Sequence, residues 1–479
     1  MNPDRLLLLS FTCPVSRFTY AGHPSRGTLY EHTNDLHDAV RRIARIADRH
    51  GQPVSWVIND QEYLNREGLM PWLLERRERG DSLLVTMELT TSPPDVDKRD
   101  TVAVLRWIAE QAARAGFTPD GLWSLKFYES DLEAILQLPA AGFGWTRNLA
   151  GSCWHQEGID DSTWLGCPYN PYYPAVWNSK APASPEEQQP FLMLEWLTRD
   201  INAILHGGFP ATFSLDPADS NRKDAGGFAC EADALRYSLA LIDETARQIA
   251  FNSTVVVNIN EEARHYQTEG HDKDFMLDGM FRRFAEIAAD PPPGVTVRQA
   301  ACRDVWREFR QRHPCTPRTL WLARDLDWRE GDIPGADPAY ANRPRGDLAL
   351  LYQDVSLQAG FLRSRGPLPV EMFDYTARVP GSDSNDPYPQ RCLPPLQLRA
   401  REMDASRGEV SVRLVIHAAE EVGLCPIVLW DAPVRGDEQV IATEGCIRSA
   451  HPVPGGLFLL LQLISGTNEA MVRLQKPSG

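Results

Sequence analysis

Apolar and polar residues alternate with two different periodicities in the two parts of this chain. In residues 35–49 the apolar positions Leu36, Val40, Ile43 and Ala47 recur every three or four residues, which is the spacing of an amphipathic helix. The same spacing predicts helices over residues 100–115, 186–205, 231–250 and 275–289. Short apolar or β-branched runs separate these segments and predict strands at residues 6–12, 54–59, 82–89, 121–127, 142–147, 211–215, 254–259 and 295–297.

The alternation of strand and helix indicates βαβ units with a parallel sheet. Seven or eight such units favour a closed barrel over an open sheet. The rhythm then changes: in residues 409–417, Val410, Val412, Leu414 and Ile416 alternate with polar residues, and residues 457–464 and 470–474 continue this pattern. Short strands without helices are typical of an antiparallel β-sandwich.

The length of the chain, 479 residues, exceeds what one hydrophobic core usually organises. Residues 314–345 are rich in Pro, Gly, Asp and Arg, which indicates a break between the two patterns. We therefore predict an α/β fold made of a distorted (β/α) barrel over residues 1–315 and an antiparallel β-sandwich over residues 346–479. Residues 316–345 are predicted to form a linker or a surface excursion.

The charge balance limits the class of partner. Lys and Arg total 49 against 65 Asp and Glu, a net charge of −16, which disfavours nucleic acid and anionic membranes. No apolar segment is long enough to cross a bilayer, and residues 6–11 are too short for a signal peptide. The nine cysteines form no CxxC pair, which argues against a disulfide framework and against structural zinc. A cytoplasmic location is expected.

The order of elements at the start of the chain resembles the NodB-type polysaccharide deacetylases and the wider group of distorted barrels that includes certain glycoside hydrolases. Residues 8–14 (LLSFTCP) occupy the place of that family's T-F-D-D-G first strand. Residues 51–57 (GQPVSWV) match its glycine and apolar second strand, and residues 81–90 (DSLLVTMELT) match its third. The resemblance covers residues 5–310. With the C-terminal sandwich, the layout is also similar to uncharacterised bacterial deacetylase-like proteins.

The resemblance fails at the metal ligands. An Asp on the first strand and two His on the third hold a divalent metal in that family, whereas this chain has Thr12 or Cys13, and Thr86 and Thr90, at those places. Threonine hydroxyls are poor zinc ligands, so we predict no metal and no cofactor. The superfamily includes metal-independent hydrolases of cyclic ureide or imide bonds, so this loss is compatible with an enzyme.

Candidate catalytic residues follow the carboxyl ends of the predicted strands, where barrel enzymes place their reacting groups. Glu88 is the leading candidate, because Met87 and Leu89 flank it and a carboxylate in an apolar strand is costly without a purpose. Taken singly, such residues are often helix caps or surface charges. Two carboxylates suit glycoside chemistry, Lys126 is a partner that would keep one of them ionised, and His265 is an alternative base. The catalytic candidates are Glu88, Asp216, Glu261, Lys126, His265 and Asp60.

Residues 164–182 carry aromatic rings among prolines, an arrangement that suits stacking on sugar rings. We expect this loop to cover the barrel end that holds Glu88, with at least two of Tyr169, Tyr172, Tyr173 and Trp177 facing the ligand. The alternative is that the rings plug the barrel or a domain interface. The candidate substrate-binding residues are Arg17, Tyr20, Trp123, Tyr128, Tyr169, Tyr172, Tyr173 and Trp177.

These features predict a metal-independent carbohydrate-active enzyme, a hydrolase of a glycosidic or related bond whose partner is a small molecule or an oligosaccharide. Two alternatives stay open. One is a non-catalytic carbohydrate-binding or assembly protein that kept the barrel and lost the metal. The other is an isomerase, lyase or C–N hydrolase that uses the same pocket. The oligomeric state also stays open.

Overall fold

The computed structural model of the chain describes two compact units. The described residues are 5–15, 18–21, 28–31, 36–58, 68–86, 101–124, 144–147, 170–175, 178–186, 191–195, 197–198, 200, 214–217, 228, 230–266, 274–324, 326, 348–355, 359–363, 371–373, 390–392, 396–406, 408–429, 432–453 and 456–476. The first unit comprises residues 1–319, 323–346 and 378–387, and the second comprises residues 320–322, 347–377 and 388–479.

The first unit alternates strands with helices. Its described strands are β1 (Arg5–Val15), β2 (Phe18–Ala21), β3 (Thr28–Glu31), β4 (Ser55–Ile58), β5 (Ser82–Thr86), β6 (Gly121–Ser124), β7 (Gly144–Arg147), β8 (Pro174–Ala175), β9 (Asn178–Pro182), β10 (Leu192–Glu195), β11 (Thr254–Asn260) and β12 (Val295–Gln299). Its described helices are α1 (Leu36–Arg49), α2 (Leu69–Glu78), α3 (Thr101–Arg114), α4 (Glu231–Arg247), α5 (Asp274–Ala289) and α6 (Cys302–Arg312), with 3₁₀ turns at Gln248–Ala250 and Ala263–Tyr266.

Eight of these strands form one parallel sheet. Seven lie in the order β10-β7-β6-β5-β4-β1-β11, and β12 pairs with the first half of β1. Strand β1 is long enough to pair with β12 through residues 5–9 and with β4 through residues 12–15. The carboxyl half of β1 therefore lies between β4 and β11.

The two edges of this sheet meet at the carboxyl ends of its strands. The amide of Thr198, three residues beyond β10, donates to the carbonyl oxygen of Asn258 on β11 at 2.8 Å. The amide of Leu215 donates to the carbonyl oxygen of Thr198 at 2.8 Å, and the amide of Asn260 donates to that of Leu215 at 3.2 Å. These bonds join the segment that follows β10 to β11, so the sheet closes on itself at that end.

The alternation of side chains along β1 separates the inside of the sheet from the outside. Leu6 and Leu8 belong to the interior core, together with Trp306 of α6. Phe11 points the other way, because its ring centroid lies 4.9 Å from that of Phe281 on α5. Successive strand residues face opposite sides, so Ser10, in step with Leu8, faces the interior.

The second unit is antiparallel. Its strands are β13 (Thr319–Arg324), β14 (Leu348–Asp354), β15 (Ala359–Arg363), β16 (Glu371–Phe373), β17 (Gln390–Cys392), β18 (Leu396–Asp404), β19 (Glu409–Ala418), β20 (Cys425–Leu429), β21 (Gln439–Gly445), β22 (Ile447–Val453), β23 (Gly456–Leu461) and β24 (Gly466–Gln475). They form three sheets, in the orders β13-β14-β15-β16-β17, β18-β19-β24-β21 and β20-β23-β22. Val412 of β19, Leu459 of β23 and Val472 of β24 share one core, so the last two sheets pack as a sandwich.

The predicted fold class is confirmed: a parallel α/β sheet of the barrel type precedes an antiparallel β-sandwich. One local prediction is wrong. Residues 192–195, predicted as part of a helix over 186–205, form strand β10, which pairs with β7 on one side and with Tyr172 on the other. Residues 319–324, at the start of the stretch predicted as a linker or a surface excursion, form strand β13. Among the described helices, none combines the length and apolar character that a membrane span requires.

Candidate functional site

Two buried carboxylates follow the backbone bonds that close the sheet. Asp216 and Glu261 each come directly after a residue of the hydrogen-bonded pair Leu215 and Asn260. Asp216 is 4% exposed and Glu261 is completely buried. Carboxylates are seldom buried without a specific role, so their arrival at one point of the sheet from two chain segments marks a candidate active site.

Strand β1 fixes the backbone of Glu261. The amide of Glu261 donates to the carbonyl oxygen of Thr12 at 3.1 Å, and one carboxylate oxygen, Oε1, accepts from the amide of Glu262 at 2.9 Å. Thr12 and Asn260 are partners in the register of β1 and β11. The position of Glu261 is thus set by the last pairs of two neighbouring strands.

The negative charge of this site contributes to raised pKa values of two groups on the outer side of the sheet. Burial, followed by the charges of Glu261 and Glu262, raises the pKa of the Cys13 thiol well above its usual range. Burial, followed by the charges of Glu261 and Asp274 and then by Cys13 and Asp216, raises the pKa of the Tyr266 phenol well above its usual range. Both groups therefore stay protonated at neutral pH, and both lie within electrostatic reach of Glu261.

Helices α1 and α5 hold Tyr266 in place. The guanidinium of Arg42 on α1 lies 5.9 Å from the centroid of the Tyr266 ring, within the range of a cation–π contact. The same Arg42 donates from Nε to Oδ2 of Asp274 on α5 at 2.7 Å. Because Tyr266 ends the 3₁₀ turn that follows Glu261 and Glu262, this contact ties the turn to the helical layer.

Inside the sheet, four neutral polar side chains lie on the carboxyl halves of β1 and β11. Ser10 pairs with Asn258 in the strand register, and Thr12 pairs with Asn260. All four are buried, and the hydroxyl of Thr12 donates to Oδ1 of Asn258 at 3.4 Å. We call these four residues the neutral layer.

Apolar side chains lie below and beside the neutral layer. Toward the amino ends of the strands, the interior is filled by Leu8, Val256 and the side chains of α6. Trp123 on β6 faces the same interior, is 2% exposed and is the register partner of Thr86 on β5. Trp123, a candidate substrate-binding residue, is therefore part of the buried interior wall.

The described residues do not fit a zinc site of the deacetylase kind. Thr12, at the place of the family's Asp, donates its hydroxyl to Asn258. Cys13 lies on the opposite face of β1 from Thr12, and Thr86 offers a neutral hydroxyl. Among the residues that the structure describes, no three His, Cys, Asp or Glu side chains are grouped so as to hold a metal ion. No step of the chemistry is therefore assigned to a metal.

The aromatic residues of the predicted binding loop that can be described are buried. Tyr172 is completely enclosed and exchanges two backbone hydrogen bonds with Met193. Tyr173 donates its hydroxyl to the carbonyl oxygen of His313 at 2.9 Å, and His313 in turn contacts the hydroxyl of Thr254, the first residue of β11. The structure thus places Tyr173 at the amino end of β11, which does not agree with a role at the carboxyl ends.

For the remaining candidates the structure describes no side chain. Tyr20 lies in β2, and His265 lies in the 3₁₀ turn, four residues after Glu261; only the backbone of each is described. The candidates that lie outside the described residues are Glu88, Lys126, Asp60, Arg17, Tyr128, Tyr169 and Trp177.

Three residues of the site were not singled out by the sequence: Ser10, Asn260 and Tyr266. For Ser10 a signal was present. Leu6, Leu8, Ser10 and Thr12 alternate along one face of the first strand, and the change from leucine to hydroxyl residues marks the depth at which the interior becomes polar. Asn260 and Tyr266 carry no comparable pattern.

No protein-family model matches this chain, and no curated protein sequence matches it. Among solved structures, it is similar to the allantoinase PuuE, with 12% identity, a TM-score of 0.43, and coverage of 66% of this chain and 94% of that one. It is similar to a proposed polysaccharide deacetylase from Mycobacterium smegmatis, with 14% identity, a TM-score of 0.41, and coverage of 67% and 95%. It is also similar to a 4-α-glucanotransferase from Thermococcus litoralis, with 7% identity, a TM-score of 0.35, and coverage of 99% and 100%. At these scores the similarities assign neither a family nor an activity.

Proposed function

We propose that this chain is a metal-independent hydrolase of a glycosidic or related bond, with Asp216 and Glu261 as its pair of acting carboxyl groups. The observation that supports the proposal is the hydrogen bond between Asn260 and Leu215, because a buried carboxylate directly follows each of these residues beyond the carboxyl ends of parallel strands. Barrel enzymes assemble their chemistry at that end.

Hydrolysis of a glycosidic bond needs only a pair of carboxyl groups. In glycoside hydrolysis one carboxylic acid protonates the leaving oxygen, and a second carboxylate attacks the sugar or activates water. Such a pair supplies the proton and the nucleophile without a metal. Glu88, Lys126, Asp60 and His265 follow strands of the same sheet in sequence and are proposed to complete this end of the barrel.

The test is a turnover assay with matched variants. Wild-type protein is incubated with p-nitrophenyl glycosides and neutral oligosaccharides, alongside Glu261→Gln and Asp216→Asn. Each variant keeps the shape of the side chain but cannot deliver or accept the proton, so we expect a loss of about 100-fold or more in kcat. Glu438→Gln is the control, because Glu438 is a buried carboxylate of the second unit, where it accepts from the amides of Arg435 and Gly436.

The outcomes separate the alternatives. Hydrolysis that survives in both Glu261→Gln and Asp216→Asn contradicts the assignment of the pair. Hydrolysis of cyclic ureides or amides, without hydrolysis of glycosides, indicates the C–N hydrolase alternative. Binding of oligosaccharides with no turnover of any substrate indicates a carbohydrate-binding protein.

A further inference from the structure

The neutral layer contains a hydroxyl group that the folded chain leaves unused. Ser10 is completely buried, and its Oγ has no hydrogen-bond partner among the residues that the structure describes. A buried hydroxyl without a partner costs about 1–3 kcal/mol. By contrast, Thr12, two residues along the same face, bonds to Asn258. The unused hydroxyl therefore lies where the interior changes from apolar to polar.

The layer has no charged member. Ser10, Thr12, Asn258 and Asn260 present hydroxyl and amide groups, each of which can both donate and accept hydrogen bonds. The described interior-facing residues of β1 and β11 include no charged side chain, so a charged ligand group would find no ionic partner within the layer itself. A group that combines donors with acceptors and carries no charge, such as a sugar hydroxyl or an acetamido group, matches these side chains best.

We infer that Ser10 and Asn258 form a recognition subsite for an uncharged hydroxyl or amide group of the substrate, next to the carboxylates Asp216 and Glu261. This inference rests on the proposed function for the location of the ligand, and it adds the class of substrate. An anionic substrate group would have to lose its hydration here beside two carboxylates and without a cationic partner in the layer, and that penalty excludes it.

A second buried hydroxyl supplies the matched control. Ser238 on α4 is also completely buried, with an Oγ that has no hydrogen-bond partner among the described residues. It lies on a helix outside the sheet interior. Replacing either serine by alanine removes an unsatisfied hydroxyl, so both Ser10→Ala and Ser238→Ala should raise the Tm slightly. Only Ser10→Ala should also weaken ligand binding.

The experiment measures binding by titration calorimetry with three tetrasaccharides: cellotetraose and chitotetraose, which are neutral, and the anionic galacturonate tetramer. It uses the full chain as wild type, Ser10→Ala and Ser238→Ala. We expect at least one neutral tetramer to bind about tenfold more tightly than the anionic one. Ser10→Ala should weaken that binding about five- to a hundredfold, the equivalent of one unsatisfied hydrogen bond, while Ser238→Ala leaves it unchanged.

Three results would overturn the inference: an unchanged Kd in Ser10→Ala, equal binding of the anionic tetramer, or no binding of either neutral tetramer. The turnover assay on Asp216→Asn keeps this inference distinct from the proposed function. If the carboxylate pair is not catalytic, Asp216→Asn still turns over substrate, while Ser10→Ala still weakens binding in the titrations.

Discussion

Asn260 and Leu215 are joined by a backbone hydrogen bond of 3.2 Å, and the residue that follows each of them is a buried carboxylate. Thr198 lies on the other side of Leu215 and is bonded to it and to Asn258. One small set of bonds thus closes the parallel sheet and assembles the candidate site. Disrupting this closure would disturb fold and site together, which is why the experiments change side chains and not this backbone.

The first prediction concerns a buried ion pair at the amino ends of β4 and β5. Arg76 is 5% exposed and donates from Nε to Asp81 at 2.8 Å, while Asp81 also accepts from the indole of Trp56 at 2.7 Å. Arg76→Ala leaves Asp81 buried without its cation, so we expect a loss of about 3–5 kcal/mol in the free energy of unfolding. Denaturant titration measures it.

The control for this prediction is Arg79, which directly follows the same helix. Arg79 pairs with Glu75, and both side chains are largely exposed. Exposed pairs contribute little, so Arg79→Ala should change the free energy of unfolding by less than about 1 kcal/mol. Equal effects of the two substitutions would show that the network around Asp81 does not stabilise the first unit.

The second prediction concerns pH. Burial, with the nearby charge of Arg312 as a smaller cause, lowers the pKa of His313 to about 4. Unfolding returns it to its ordinary value of about 6.5, so the unfolded state binds the proton more tightly. The stability that this histidine contributes is complete above about pH 6.5 and is lost as the pH falls toward 4. Below pH 4 no further loss comes from this group.

The measurement compares wild type with His313→Gln. Between pH 6.5 and pH 4 the free energy of unfolding of the wild type should fall by about 1–3 kcal/mol more than that of the variant, since other titrating groups act equally on both. Parallel curves for the two proteins would show that His313 is solvated and titrates normally in the folded state.

The third prediction tests a close approach in the β-sandwich. Gly445, at the end of β21, has a φ of +76°, and a Cβ there would collide with the carbonyl oxygen of Glu469 on β24. Gly445→Ala should therefore destabilise the second unit by more than about 2 kcal/mol. Gly408 has a φ of +83° with open space around it, so Gly408→Ala should cost only about 1–2 kcal/mol for the left-handed backbone. Equal costs would contradict the collision.

The sequence predicts the regular parts of this fold well where local preference and burial agree. Residues 254–260 (TVVVNIN) combine β-branched residues with an apolar run, and they form β11. Residues 192–195 (LMLE) show the opposite case. Leucine, methionine and glutamate favour helix, but pairing with β7 and Tyr172 on either side makes this segment a strand. Tertiary contacts determine the secondary structure of such segments, and no local sequence pattern predicts those contacts.

The candidate site divides in the same way. The sequence predicts Asp216 and Glu261 as candidates, because each follows a predicted strand. Their proximity depends on the bond between Leu215 and Asn260, two residues far apart in the chain, and barrel closure is not encoded in local spacing. For the aromatic loop, the composition suits ligand stacking, and the sequence does not report that Tyr173 packs against α6, with its ring centroid 6.2 Å from that of Phe309.

The most direct test of the central claim is to find which carboxylates react with a ligand bound to the full-length protein. Epoxyalkyl glycosides of glucose and N-acetylglucosamine place an electrophile beside the acting carboxylate, which opens the epoxide and becomes an ester that peptide mass spectrometry can locate. We predict that the label lies on Glu261 or Asp216, that it is prevented by excess neutral oligosaccharide, and that Glu261→Gln or Asp216→Asn loses it. Protectable labelling at a carboxylate of the second unit, with neither Glu261 nor Asp216 modified, would contradict the account.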